Sequence, residues 1–236
     1  MVMKGAPTKA LVQHHRVMAA GGVGLTTVAY GAVSKVGRTL PNQVWMRPEI
    51  LPDLKALADA VHAEGGAISY QITHGGSFVT SVKVDGPTMS ASSGINKAGV
   101  MRGNFFQRAM NRADMDLVAQ QFVDAAKLCR EAGFDAVEIH MGHGYLLNQF
   151  ISPLSNKRRD EFGGCAEDRA RFPAEVLRRV KEAVGREMAV LAKINVADGV
   201  PGGATADDAI VTARMLQQAG ADLPVLRHTA RQLEDA

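Results

Sequence analysis

Glu131-Ala132-Gly133-Phe134-Asp135-Ala136-Val137-Glu138-Ile139-His140 joins a helix end, a glycine turn and a short strand without a spare residue. The glycine suits a helix C-cap that needs positive φ, and the run from Phe134 to His140 suits a strand buried on both faces. The same unit recurs at Ala19-Ala20-Gly21-Gly22 before Val23 to Ala29, and at Ala63-Glu64-Gly65-Gly66 before Ala67 to Ile72. It returns at Val184-Gly185 before Met188 to Asn195 and at Gln218-Ala219-Gly220 before Ala221 to Leu226. Pro48 to His62, Ala113 to Arg130, Glu167 to Ala183 and Thr205 to Gln218 space their apolar residues by three and four, as one-faced helices do. Strands alternating with such helices predict an α/β fold with a parallel sheet.

Periodicity alone does not separate a doubly wound sheet from a closed barrel. Polar residues at the strand ends favour the barrel: Gln71 and His74, His140 and His143, and Lys193 and Asn195 fall at or just past the C-terminal ends of successive strands. A (β/α) barrel gathers its active site there. The doubly wound alternative wants a glycine fingerprint after its first strand, whereas Gly22-Val23-Gly24 precedes a strand and lacks a third glycine. The stretch from Gly75 to Asn111, rich in Gly, Ser, Thr and Asn, is the one long insert, and loops of that size are usually functional or mobile.

Composition narrows the function. A chain of 236 residues, 46% hydrophobic and 22% charged, can bury a full core, and 1–236 reads as one domain without a low-complexity linker. The net charge of +3 and basic runs no longer than Lys157-Arg158-Arg159 give no nucleic-acid footprint. Cys129 and Cys165 stand apart with no CxxC, so neither a disulfide framework nor a zinc or iron–sulfur site is encoded. Lys4, Lys9, His14, His15 and Arg16 interrupt the N-terminus, and no apolar run approaches membrane-spanning length, so a cytoplasmic location is expected.

The densest chemistry runs from Glu138-Ile139-His140-Met141-Gly142-His143-Gly144-Tyr145 through Asn148-Gln149-Phe150-Ile151-Ser152-Pro153 to Asn156-Lys157-Arg158-Arg159-Asp160-Glu161-Phe162-Gly163-Gly164. With the strand ending near His140, the following turn projects two imidazoles and a phenol over the sheet's C-terminal end. Two imidazoles can donate to one oxygen that gains charge, and a nearby phenol can protonate a carbanion. Asn156, Arg158, Asp160 and the Gly163-Gly164 pair read as a loop held by internal hydrogen bonds. By strand alternation Lys193 shares a face with Ala189 and Leu191, so its ammonium turns inward and needs an anionic partner.

This long stretch resembles the signature of old yellow enzyme and its NADH:flavin oxidoreductase and ene-reductase relatives. The resemblance extends from Gly21-Gly22-Val23-Gly24-Leu25, through Gln71-Ile72-Thr73-His74-Gly75-Gly76, to Lys193-Ile194-Asn195 and about Asp222. It implies a (β/α)8 TIM-type barrel with FMN across its mouth, reduced by NAD(P)H, passing hydride to the β-carbon of a small α,β-unsaturated carbonyl compound. It also implies that His140 and His143 hold the carbonyl oxygen and that Tyr145 protonates the α-carbon. Gln71 would meet the flavin pyrimidine edge, and Lys193 would sit beside flavin N1 and the C2 carbonyl, with Glu138 as its structural alternative partner. Tyr30 falls where the family has a small residue whose backbone meets the flavin.

The resemblance covers about five of eight βα units. The family's first strand precedes it, and the phosphate-binding loops of the last two strands follow the point where Leu223-Pro224-Val225-Leu226-Arg227-His228-Thr229 departs from the pattern. A partial barrel with unpaired edges is expected to self-associate and to purify without flavin. Two other readings stand beside the flavoenzyme: a non-catalytic fragment or interaction module, and a metal-dependent barrel using His140, His143 and Glu138.

Overall fold

The computed structural model describes residues 2–3, 5–79, 88–97, 99–100 and 103–227. His228 and Thr229 of the divergent tail, and 80–87, 98 and 101–102 of the long insert, lie outside them. A short ribbon of β1 (Val2–Met3) and β2 (Ala6–Pro7) leads into α1 (Lys9–Ala20), whose first turn is capped by Thr8. The main sheet is built from β3 (Leu25–Ala32), β4 (Ala67–Thr73), β8 (Ala136–Met141), β9 (Ala189–Asn195) and β10 (Leu223–Arg227). All four pairings are parallel.

The strand order is β10-β9-β8-β4-β3, so each new strand joins the sheet beside its predecessor in the chain. A doubly wound sheet reverses its order at a switch point, and this one does not. The topology is therefore that of a (β/α) barrel, present here as five consecutive units. Its two edges carry the half-exposed Leu25 and Leu223.

Helices α2 (Leu51–His62), α3 (Arg112–Glu131), α5 (Ala166–Val184) and α6 (Ala206–Gln218) lie where the apolar spacing puts them, to within a few residues at their ends. Reciprocal capping boxes start α3 (Asn111 with Asp114) and α6 (Thr205 with Asp208). At all five junctions a glycine takes positive φ, as Gly133 does at 86° and Gly220 at 101°. Two of these glycines open a Gly-x-Asp step with a further task. Asp135 accepts the Ile68 N–H at 2.8 Å and lies 2.9 Å from His62 Nε2. Asp222 accepts the Val190 N–H and the Lys181 ammonium, both at 2.7 Å. Each carboxylate thus ties the start of the preceding strand to a neighbouring helix.

Side-chain alternation separates two chemistries. Ile68, Tyr70 and Ile72, Val137, Ile139 and Met141, and Val190, Ala192 and Ile194 enter the hydrophobic core formed with the helices. The opposite face carries Ser69, Gln71 and Thr73, Glu138 and His140, and Leu191, Lys193 and Asn195. Every residue of β8 is buried, as a strand covered on both faces requires.

The edge strand β3 breaks this alternation. Val28 pairs with Tyr70 but Gly31 pairs with Ile72, so three steps along β3 match two along β4. This bulge inserts one residue and gives Tyr30 the parity of Ala32, which pairs with the polar-face Thr73. Gly31 makes the bend feasible, because a Cβ there would lie 2.6 Å from the Tyr70 ring.

The long insert after β4 folds into a small sheet in which β7 (Phe106–Ala109) lies between β5 (Thr88–Ser90) and β6 (Gly94–Ile95). The stretch beyond β8 forms α4 (Leu146–Ile151) and then the hydrogen-bonded loop expected from its sequence. Asn156 Nδ2 donates to the carbonyls of Phe150 and Phe162, both at 2.7 Å, and Arg158 Nη1 reaches the Ala91 and Met110 carbonyls at 3.0 and 2.8 Å. That guanidinium joins this loop to the insert.

Candidate active site

The C-terminal end of β8 delivers His140 into the polar face, and the next turn carries His143 and Tyr145. His143 is the one non-glycine among the described residues with positive φ, 57°. Two asparagines hold the turn in that strained conformation: Asn195 Oδ1 accepts the His143 N–H at 3.1 Å and Asn148 Oδ1 accepts the Gly144 N–H at 2.8 Å. Asn195 Nδ2 lies 3.3 Å from the same Asn148 oxygen. The result packs the two imidazoles 4.8 Å apart at an interplanar angle of 76°. The Tyr145 ring lies 5.0 Å from His140 at 71°.

The hydrogen bonds fix the tautomers. The Gly142 N–H donates to His140 Nδ1 at 3.1 Å, so that nitrogen carries no hydrogen and the ring is neutral. His140 therefore holds its hydrogen on Nε2, 3.1 Å from His143 Nδ1. His143 accepts there and keeps its own hydrogen on Nε2. Expected as joint donors to one oxygen, the imidazoles are here paired with each other, with the outward donor on His143.

Tyr145 is half-buried, and burial pushes its phenol above the ordinary tyrosine range. The hydrogen bond to Tyr30 acts in the same direction, whereas Thr39 acts in the opposite one. Phe78 packs edge-on at 5.9 Å. Thr39, Gln43, Asn148 and Gln149 are the residues that sequence reasoning gave no role. The last two lie inside the motif, and Gln149 links the loops after β4 and β8 by donating to the Gly75 and Gly144 carbonyls and accepting the Ser77 N–H at 3.2 Å.

Gln71 and Lys193 share the polar face with His140. Gln71 pairs in register with Glu138, and its Nε2 donates to the Glu138 carboxylate. Lys193 pairs instead with His140, and among the described residues it forms no ion pair. The alternative Lys193–Glu138 pairing is thus absent, because Glu138 lies opposite Leu191 and turns to Gln71. Among the described residues no three His, Cys, Asp or Glu are grouped to hold a metal ion. No helix among them is long and apolar enough to cross a membrane. His74, at the end of β4, is fully buried, and desolvation lowers its pKa to about 4.

The model of the NADH:flavin oxidoreductase / NADH oxidase family matches residues 2–234. The chain belongs to this family. FMN, with NAD(P)H as electron donor, is the cofactor pair that membership implies. Among family relatives the chain is 38% identical over 219 residues to the 4,4'-dithiodibutanoate disulfide reductase of Rhodococcus erythropolis, covering 92% of this chain and 53% of that protein. It is 36% identical over 212 residues to an NADPH dehydrogenase of Geobacillus sp. (strain WCH70), covering 89% of this chain and 59% of the relative. Old yellow enzyme from Pichia sp. AKU4542 superposes with a TM-score of 0.82 at 25% identity, over 95% of this chain and 64% of that one. The chain therefore spans about a third to three fifths of the length of the curated relatives it matches.

The donor set fits a flavin of this family. The Gln71 amide carries both a donor and an acceptor, as an imide edge requires. The half-buried Lys193 ammonium, unpaired among the described residues, suits an anionic ring.

Proposed function

We propose that the chain carries the substrate side of an FMN-dependent NAD(P)H oxidoreductase site that reduces the C=C bond of α,β-unsaturated carbonyl compounds. The observation behind this reading is the convergence of His140, His143 and Tyr145 at the end of β8, with Gln71 and Lys193 on the same face. FMN, when bound, supplies the hydride that it takes from NAD(P)H. Gln71 would hold the pyrimidine edge of the bound FMN, and the Lys193 ammonium would balance negative charge on its ring.

A carbonyl oxygen seated between the imidazoles receives the His143 Nε2–H and takes over the His140 Nε2–H now spent on His143. Both donors strengthen as the oxygen gains negative charge, which is the condition for lowering the barrier. Tyr145 gives its proton to the α-carbon and regains one from water. The reduced product thus gains one hydride and one proton.

Replacing His140 or His143 with Ala in the FMN-loaded protein should slow cyclohexenone reduction by about two orders of magnitude, the scale for losing one oxyanion donor. FMN retention should be unchanged. Wild-type turnover in both variants refutes the assignment, and a wild-type protein that retains no FMN favours the non-catalytic reading. The 38% identity to a disulfide reductase supports a second substrate class, disulfides of carboxylate-bearing thiols. For these Tyr145 would protonate the departing thiolate while the other sulfur takes the hydride. Turnover of 4,4'-dithiodibutanoate without enone reduction would favour that class.

A further inference from the structure

We propose that Tyr30 is a positioning residue for proton delivery: its hydroxyl, backed by Thr39 and Gln43, aims the Tyr145 phenol and steadies it when the proton leaves. The inference rests on Tyr145 being the proton donor of the proposed reaction.

The bulge in β3 brings the Tyr30 ring onto the polar face, 6.2 Å from His140 and 5.5 Å from Tyr145. The two phenol oxygens lie 2.8 Å apart, and Tyr30 Oη is 3.1 Å from Thr39 Oγ1. These contacts join residues 115 positions apart in the chain.

The direction of the chain follows from one backbone group. The Thr39 N–H lies 2.7 Å from one side-chain amide atom of Gln43, which must be an acceptor and hence the carbonyl oxygen. The Thr39 hydroxyl, 3.2 Å from that same oxygen, can only donate to it. With its hydrogen directed at Gln43, the Thr39 oxygen is the acceptor for Tyr30, and it also interacts with the Tyr145 hydroxyl. Tyr30 then presents a lone pair to Tyr145, so the Tyr145 O–H points at Tyr30. Gln43 Nε2 closes the frame on the Tyr30 carbonyl at 3.3 Å.

A phenol O–H free to rotate spends little time in any one direction. Here it has two defined ones: toward Tyr30 at rest, or toward substrate when Tyr30 reverses and donates to Tyr145. In the first, the bond holds the proton on Tyr145. In the second, it supports the negative oxygen left after protonation, until water returns the proton. Among the described residues, the groups in ring or hydrogen-bond contact with the pair are His140, Thr39 and the apolar Phe78.

Tyr30→Phe removes only the hydroxyl. In the FMN-loaded protein it should lower kcat for enone reduction about tenfold with KM nearly unchanged, against about a hundredfold or more for Tyr145→Phe, the range of a lost general acid. Thr39→Val should reproduce part of the Tyr30→Phe loss, and Thr39→Ser, which keeps the hydroxyl, should restore it. In the flavin-free, ¹³C-tyrosine-labelled protein, the Tyr145 Cζ resonance should shift in Tyr30→Phe. Tyr30→Phe turnover within twofold of wild type, beside a slow Tyr145→Phe, overturns this proposal alone. An unshifted Tyr145 resonance overturns it whatever the activity. Wild-type turnover in Tyr145→Phe sinks both this proposal and the reading beneath it.

Discussion

Lowering the pH should weaken this fold through His74, and replacing that residue with Leu should remove the effect. The imidazole is 2% exposed. Its Nδ1 accepts the Gly76 N–H at 3.1 Å, so its hydrogen sits on Nε2, which has no partner among the described residues. Gly37 lies so close that a Cβ there would come within 2.7 Å of the ring. A second proton would have to go on Nδ1, where it would face the Gly76 N–H. Desolvation lowers the pKa from 6.5 to about 4, so between these values the unfolded chain binds a proton that the native one refuses. Stability is therefore complete above about pH 6.5 and falls as the pH drops toward 4. The whole difference is about 3 kcal/mol, of which about 2 kcal/mol is lost between pH 7 and pH 5. Urea unfolding of wild type and His74→Leu at both pH values measures it as a difference of differences, in which all other titrating groups cancel. If the two proteins lose equal stability between pH 7 and pH 5, the ring is not held neutral by burial.

Two further substitutions test the site's supports. Arg169 is buried and donates to the Ile151 and Gly164 carbonyls and to Asp208, joining the loop after α4 to α6. Arg169→Met strands those acceptors and should cost about 3 to 5 kcal/mol in chemical denaturation; a loss below about 1 kcal/mol would mean that the loop stands without it. Lys193→Met should change stability by less than about 1 kcal/mol, since no ion pair among the described residues is broken, whereas a loss of about 3 kcal/mol or more would reveal a buried acidic partner.

Much of this molecule could be read from local signals. Glycines such as Gly133 and Gly220 mark helix ends because positive φ is a property of single residues, and a buried strand such as Phe134 to His140 declares itself by an unbroken apolar run. The cluster at His140, His143 and Tyr145 was legible for the same reason, being continuous in sequence. What escaped depends on register between distant strands. Alternation placed Glu138 and Lys193 on one face, but only the pairing of Glu138 with Gln71 and of Lys193 with His140 decides which groups meet. The inward turn of Tyr30 requires the β3 bulge, which exists only relative to β4. Thr39 and Gln43 gain meaning from a tyrosine that arrives from another strand.

The bulge also divides β3 into two stretches under different constraints. Below it, Val28 belongs to the core and can change only as fast as the helices around it allow. Above it, a shift of one residue has turned a different set of positions toward the mouth without redesigning any loop. Such a strand works like a ruler with one odd division: its lower marks are fixed by the scaffold, while its upper marks can be reassigned to new substrates. Variation at position 30 would then alter the chemistry of the rim while leaving the foundations of the barrel undisturbed.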